Sequence, residues 1–188
     1  MTVSTVRQGF DVYPGYVSPD ADALLEHLRT ATPWAQPTIT LYGRTSPVPR
    51  LVGWFGESPY RYSGISTPML DWTDPLATLR DRLNTELGLA LNSCLANLYR
   101  SGDDSVGYHQ DRERGLGDRP TIATISLGAT RAFAIQRVDK SDRASVEVRH
   151  GDLLMMHSES QMLWRHGVPR RAKVTGVRVS LTFREFNL

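Results

Sequence analysis

Apolar positions along this chain change their period near its middle. In the N-terminal half they recur twice at helical spacing, as Leu24, Leu25 and Leu28 and again as Leu76, Leu79, Leu83 and Leu87. The first set predicts a helix over about 19–31. Ser18 offers a capping oxygen, Pro19 suits the first helical position, and Asp20 and Asp22 favour the positive end of the helix dipole. Pro33 and Pro37 stop it, and a strand is expected over 38–42, after an extended or irregular stretch at 1–17. The second set predicts a helix over 74–87, with Pro75 near its start and Gly88 as its stop. From Ser93 onward the period falls to two. Strands are expected at 93–99, 121–127, 131–137, 145–149, 153–156 and 177–184, with Gly, Asp and Ser punctuating the intervals. Many short strands after two helices predict an α+β chain, built as a helix-supported β-sandwich or jelly roll.

The stretch from Gly43 to Asp71 fits neither period. Pro47, Pro49, Pro59 and Pro68 alternate with Gly53, Gly56 and Gly64, and Trp54, Phe55, Tyr60 and Tyr62 sit between them. Such a segment reads as short strands and loops, an aromatic cover placed before the main core.

Composition narrows the picture only a little. A chain of 188 residues, 40% hydrophobic and 22% charged, is expected to form one globular domain, with no internal repeat or low-complexity linker. The net charge of +2 does not by itself indicate a nucleic-acid partner. Local arginine density is higher, at Arg112, Arg114 and Arg119 and again at Arg165, Arg170, Arg171 and Lys173. The single cysteine, Cys94, excludes an intramolecular disulfide and a cysteine-rich zinc site, and reads as a small buried side chain. Neither a secretory signal nor an apolar run long enough for a bilayer is evident, so the expectation is an intracellular protein without membrane contact.

Chemistry enters with His109-Gln110-Asp111. On an extended segment, His and Asp two apart point to the same side. A second imidazole from a later segment would complete two histidines and one carboxylate, the facial ligand set of non-haem Fe(II) oxygenases. His166 and His157 both lie downstream and compete for that place, whereas His27 and His150 fall on a helix and at a turn. The C-terminal strand adds a second signal. Arg178, Ser180, Thr182 and Arg184 share one face, while Val179, Leu181 and Phe183 take the other. Taken alone, such a face is a solvated strand with two surface arginines. Beside a metal set it suits a dicarboxylate co-substrate, because guanidinium groups pair with carboxylates through planar, double hydrogen bonds. Asn97 and Tyr99 share a face by the same parity and add neutral donors.

Several segments then fall in one order: Asn97-Leu98-Tyr99, His109-Gln110-Asp111, Pro120 through Gly128, Gly151 through Met156, Gln161 through His166, and Arg178 through Arg184. Upstream stand Pro49-Arg50, Trp54 through Glu57, and Tyr60 through Gly64. Over about residues 45–188 this series resembles the AlkB family, Fe(II)- and 2-oxoglutarate-dependent dioxygenases that remove alkyl groups from nucleic-acid bases. The resemblance implies a double-stranded β-helix (jelly roll) at about 93–188, supported by N-terminal helices, with a substrate-recognition lid at about 45–71. It implies His109, Asp111 and His166 as iron ligands, His166 closing the Trp-x-His element. Asn97, Tyr99, Arg178 and Arg184 would hold 2-oxoglutarate, with Arg178 on the far carboxylate and Arg184 nearer the metal. Ser180 stands where many relatives carry Asn, so its shorter hydroxyl makes a weaker contact.

The resemblance also implies O2 as the oxidant and alkylated DNA or RNA as the partner. The lesions expected are of the 1-methyladenine and 3-methylcytosine type, removed in repair. A base must leave its stack to reach a buried metal, and aromatic faces hold it there. Trp54, Tyr60 and Tyr62 are the candidates, with Tyr62 favoured by its place in Tyr-x-Tyr-Ser-Gly. Glu113 would face a cationic base, and Arg61, Arg112 and Arg114 would touch phosphates. The implied protein is a monomer of the cytoplasm, or of the nucleus in a eukaryote. A second reading keeps iron and 2-oxoglutarate but acts on a tRNA, a protein or a small molecule. A third keeps only the fold, as a binding module.

Overall fold

Both periods become structure. In the computed structural model, residues 3–41, 43–56, 60–62, 65–113 and 115–186 are described, with the side chains of 41, 60–62 and 65–67 left aside. In chain order the elements are β1 (Ser4–Arg7), β2 (Phe10–Tyr13), α1 (Ala21–Ala31), β3 (Thr38–Leu41), β4 (Arg44–Pro47), β5 (Leu51–Gly56), β6 (Tyr60–Tyr62), β7 (Ile65–Thr67), β8 (Met69–Leu70) and α2 (Asp74–Leu87). After them come β9 (Ser93–Tyr99), β10 (Val106–His109), β11 (Ile122–Gly128), β12 (Arg131–Arg137), β13 (Arg143–Val148), β14 (Leu153–Met156), α3 (Ser160–Leu163), β15 (Trp164–Val168) and β16 (Arg178–Arg184).

Helix α2 has the expected bounds, and Gly88 ends it at φ +64°, the left-handed conformation that a glycine adopts without strain. Helix α1 starts later than its sequence signals indicate. Ser18 is not its cap, because its N–H donates to the Gly15 carbonyl, Val17 donates to Gly151, and Asp20 donates to Val17. Those bonds commit residues 15–20 to turns docked on the Gly151 corner, and Asp20 takes the capping position without a side-chain bond.

Eight strands form the large sheet, in the order β1-β2-β14-β11-β16-β9-β5-β8. Its outer face is apolar. Cys94, Ala96 and Leu98 of β9, Ile125 and Leu127 of β11, and Val179, Leu181 and Phe183 of β16 meet Leu24 and Leu28 of α1 and Leu76, Leu79 and Leu83 of α2. Each leucine, isoleucine, valine and phenylalanine among them contributes about 1.5–3 kcal/mol when fully buried, so this interface anchors the sheet. A four-stranded sheet, β10-β15-β12-β13, faces the other side. Phe133, Ile135 and Trp164 from it pack with Phe10, Ile122, Leu154 and Met156 from the large sheet.

Two short ribbons, β3–β4 and β6–β7, stand apart from both sheets. The aromatic segment is therefore divided: β5 lies inside the large sheet beside β9, and only part of 45–71 is free to cover anything. Strands β1, β2, β10 and β15 were not foreseen as strands. Among the described residues, no helix is long and apolar enough to cross a membrane.

Candidate metal centre

Strand pairing builds the polar floor of a pocket between the sheets. On the inner face of the large sheet, cross-strand register aligns Asn97 with Ser180 and Ser180 with Ser126, and sets Tyr99 opposite Arg178. One step further along, Leu95, Thr182 and Thr124 form another row. The alternation of β16 is thus realised as read, with Arg178, Ser180, Thr182 and Arg184 lining the pocket. The facing wall comes from the small sheet, where β10 and β15 pair in a register that sets His109 directly opposite His166.

The two imidazoles and Asp111 converge. His109, Asp111 and His166 each offer a ligand atom, all lying within 4.8 Å of one another. His109 Nε2 is 3.5 Å from Asp111 Oδ1, and His166 Nε2 is 3.8 Å from Asp111 Oδ2. The Nδ1 of His109 sits 2.9 Å from the Gly107 carbonyl. If it donates there, the tautomer leaves Nε2 as a lone pair facing the cluster. Asp111 and His166 are buried. Among the described residues His157 is elsewhere, against Asp11 at 2.9 Å, so it is not the second imidazole.

One expectation reached the right result by the wrong route. Strand β10 ends at His109, and Asp111 lies on irregular chain beyond it. Its carboxylate faces the histidines although strand alternation does not carry that far.

Electrostatics favour metal-ready protonation states at Asp111 and His166. Burial alone would raise the Asp111 carboxyl, but the Arg184 guanidinium, then His109 and His166, hold it well below the usual range. Arg184 Nη2 lies 3.1 Å from Asp111 Oδ1, and Nη1 lies 3.7 Å from Glu113. His166 is pushed down to about 3 by burial and then by His109, which leaves a neutral imidazole. Burial also lowers His109, but the Asp111 hydrogen bond and charge outweigh it and raise it on balance.

Two buried atoms test whether the implied groups belong here. Asp111 Oδ2 accepts no hydrogen bond, and Arg178 Nη1 donates none. Leaving such atoms unsatisfied costs about 1–3 kcal/mol or more each, so a cation on the first and an anion on the second fit the site. Arg178 is otherwise held in place, with Nε donating to Ser126 Oγ at 3.0 Å and its guanidinium 5.1 Å from the Tyr99 ring centre. Asn97 Oδ1 accepts from Arg50 Nε at 2.8 Å, which directs its amide nitrogen away from Arg50.

Sequence reasoning missed Ser126 and the role of Arg50. Thr124 and Ser126 are alternate polar positions within the apolar run Ile122 to Leu127, the same signal that marked β16. Arg50 carried no such signal, since only the fold brings it beside Asn97.

The residues expected to touch a base are less convergent. Trp54 lies on the pocket side of β5 but is 1% exposed, and Phe186 meets its ring edge-on at 5.4 Å between centroids. That environment makes it a packed wall, not an open stacking face. Glu113 is buried in the pocket, and Arg112 is exposed outside it. The side chains of Tyr60, Arg61 and Tyr62, and all of Arg114, lie outside what is described. Cys94 is buried with its thiol pushed up by desolvation, as befits a packing residue.

Comparison with known proteins agrees with this geometry. Residues 9–184 match the family described as the 2OG-Fe(II) oxygenase superfamily. The chain is 40% identical over 184 residues to the human "Alpha-ketoglutarate-dependent dioxygenase alkB homolog 3", covering 92% of this chain and 64% of that protein. It is 33% identical over 182 residues to the human "DNA oxidative demethylase ALKBH2", covering 90% of this chain and 70% of that one. The Arabidopsis thaliana protein of the same name is 33% identical over 188 residues, covering 85% and 60% respectively. The chain thus spans less than two thirds of the first of these relatives. A solved structure titled "The structure of OsALKBH1" superposes with a TM-score of 0.69 over 97% of this chain and 100% of that one, and its 19% identity speaks for the fold alone. On the family match over most of its length and on these relatives, the chain belongs to the AlkB family within the 2OG-Fe(II) oxygenase superfamily.

Proposed function

We propose that this protein is an Fe(II)- and 2-oxoglutarate-dependent demethylase of N-alkylated bases in DNA, and in RNA, acting in alkylation repair. The observation that carries the reading is the pocket in which His109, Asp111 and His166 face the unsatisfied Nη1 of buried Arg178. The names of its relatives, a dioxygenase and a DNA oxidative demethylase, supply the substrate class.

His109, Asp111 and His166 hold the iron. Arg178, supported by Ser126 and Tyr99, takes the far carboxylate of 2-oxoglutarate, with Asn97 and Ser180 along its length and Arg184 at the metal end. When bound, the iron and co-substrate supply the oxidation of the N-alkyl carbon with O2. The chain's part is to orient these groups and keep water out. Glu113 sets negative charge near the base and favours a cationic lesion. Tyr62, with Tyr60, stacks on the flipped base, Trp54 backs the wall behind it, and Arg61 and Arg112 meet phosphates. We take the facing sheets as a jelly roll of one domain, its ribbons serving as the lid. The protein works as a monomer inside the cell.

Mass spectrometry of oligonucleotides carrying 1-methyladenine or 3-methylcytosine, as matched DNA and RNA, tests this. Enzyme with Fe(II) and 2-oxoglutarate should remove one methylene mass, and His109→Ala should be silent. Co-substrate turnover with no change in any lesion would reject the repair reading and leave a tRNA, protein or small-molecule oxygenase.

A further inference from the structure

The three ligand side chains are not held alike. His109 and His166 sit on paired strands, in a register that sets one opposite the other. Asp111 sits two residues past the end of β10, where no strand pairing reaches. Its backbone N–H instead donates to the side-chain oxygen of Gln161, at 2.9 Å. The same glutamine takes a second bond, its backbone carbonyl accepting from Gln110 Nε2.

Gln161 is itself fixed. It is 3% exposed, and its amide nitrogen is directed at Ser160 Oγ and the Met156 sulfur, which orients Oε1 toward Asp111. Helix α3, which carries it, is pinned at both ends: Ser160 N–H donates to His157, and the Leu163 carbonyl accepts from Val138. Strand β15, bearing His166, starts immediately after α3. Arg184 meets the Asp111 carboxylate at 3.1 Å, but it is the Gln161 side chain that ties the Asp111 backbone, unpaired by any strand, to the element that delivers His166.

We propose that Gln161 is a positioning residue of the metal centre, whose side-chain carbonyl sets the Asp111 carboxylate against the two imidazoles. It lines the loop cavity behind Asp111, not the pocket the histidines face. The inference rests on the reading of His109, Asp111 and His166 as metal ligands. Groups that orient ligands from behind typically change metal affinity about 10–100-fold when lost.

The test compares Gln161→Met, of similar length but without the acceptor, with Gln161→Glu, which keeps an oxygen there. Cobalt(II) binding is followed by its visible absorption, and the metal-free melting temperature is recorded for each. Gln161→Met should bind cobalt about 10–100-fold more weakly, and Gln161→Glu should recover most of that loss. Should Gln161→Met fail to fold, Gln161→Asn, too short to reach the Asp111 N–H, takes its place with the same expectation. Wild-type affinity in the variant that lacks the acceptor overturns the proposal. So does an equal loss in the Met and Glu variants, which would mark a packing role alone. Failure of the wild-type chain to bind cobalt at all would instead sink the metal reading on which the inference rests.

Discussion

The two sheets contribute to one pocket by different physical means. The large sheet presents polar residues in rows across β9, β16 and β11, with an apolar face of helix-packed side chains directly behind. A residue there is fixed by ladders on both sides. The small sheet meets the pocket at its own margin, since β10 is its edge strand, and Asp111 lies beyond that strand altogether. The half proposed for the co-substrate is therefore built on rigid backbone, and the half proposed for the metal on one register, the Gln161 bond to the Asp111 backbone and the Arg184 contact with its carboxylate. Affinity for the two groups should be separable by mutation.

The largest separable effect is expected at Arg178. Its guanidinium is buried and has an unsatisfied nitrogen, so it is arranged for a charge that arrives from outside. Losing one partner of a buried, hydrogen-bonded charge pair costs about 2–5 kcal/mol. Arg178→Met should therefore weaken 2-oxoglutarate binding by roughly 30-fold or more, while cobalt affinity stays within about twofold of wild type, the scatter usual for distant sites. Both constants come from titrations of one preparation. An equal loss of metal affinity would show that the halves are not independent.

The same division between the sheets runs through what could be read from the sequence. Strand β16 was legible face by face, because period-two alternation with two arginines on one side has few other solutions. Helix α2 was legible from its leucines and Gly88. Strand β15 and the single-turn helix α3 were not, since Ser160 to Val168 carries no sustained period and owes its structure to pairing with β10 and β12. The same holds for β1 and β2, four residues each, which exist as strands because β14 offers an edge. At the site, His109, Asp111, His166 and the polar face of β16 were visible as motifs, and Ser126 was marked by the same alternation in β11. Arg50 and Gln161 act through tertiary contacts, which leave no mark on local periodicity. Resemblance supplied the choice of His166 over His157, which spacing alone left open.

A smaller effect, shared by both halves, is expected where the chain crosses between them. Residues 100–105 run from the end of β9 to the start of β10, from one sheet to the other. Gly102 anchors this crossing: its N–H donates to Val174 and its carbonyl accepts from Arg171, on the segment leading to Arg178. A Cβ on residue 102 would stand 1.8 Å from the Arg171 carbonyl oxygen, so one backbone must move. Buried Arg131 staples the same crossing, donating to the carbonyls of Ser101, Asp104 and Pro169. Gly102→Ala should cost about 1–3 kcal/mol of stability, visible as a melting temperature lower by several degrees. Because both sheets hang from this turn, cobalt and 2-oxoglutarate affinities should fall together, unlike the split expected at Arg178. A stable variant with either affinity unchanged would mean that the crossing does not couple the halves.

The smallest effect concerns pH and the same crossing. Asp104 accepts from the Arg100 backbone N–H and from two nitrogens of its guanidinium, at 2.8–2.9 Å. Those bonds, led by the Arg100 side chain, outweigh burial and hold the carboxyl below its ordinary value. A depressed carboxylate binds fewer protons folded than unfolded, so its stabilisation is present above the unfolded value of about 3.9. It is lost as pH falls through the lower folded value. Arg100 is about half exposed, so solvent screens the pair and its worth is below about 1 kcal/mol. Asp104→Asn should therefore lower the melting temperature slightly at pH 7, and the difference from wild type should shrink as pH falls below about 4. A difference that persists unchanged into acid would assign the effect to the backbone bond, which asparagine retains in part, and not to charge. In either case metal and co-substrate affinities at neutral pH should stay together, since Asp104 lies on the crossing and in neither half of the pocket.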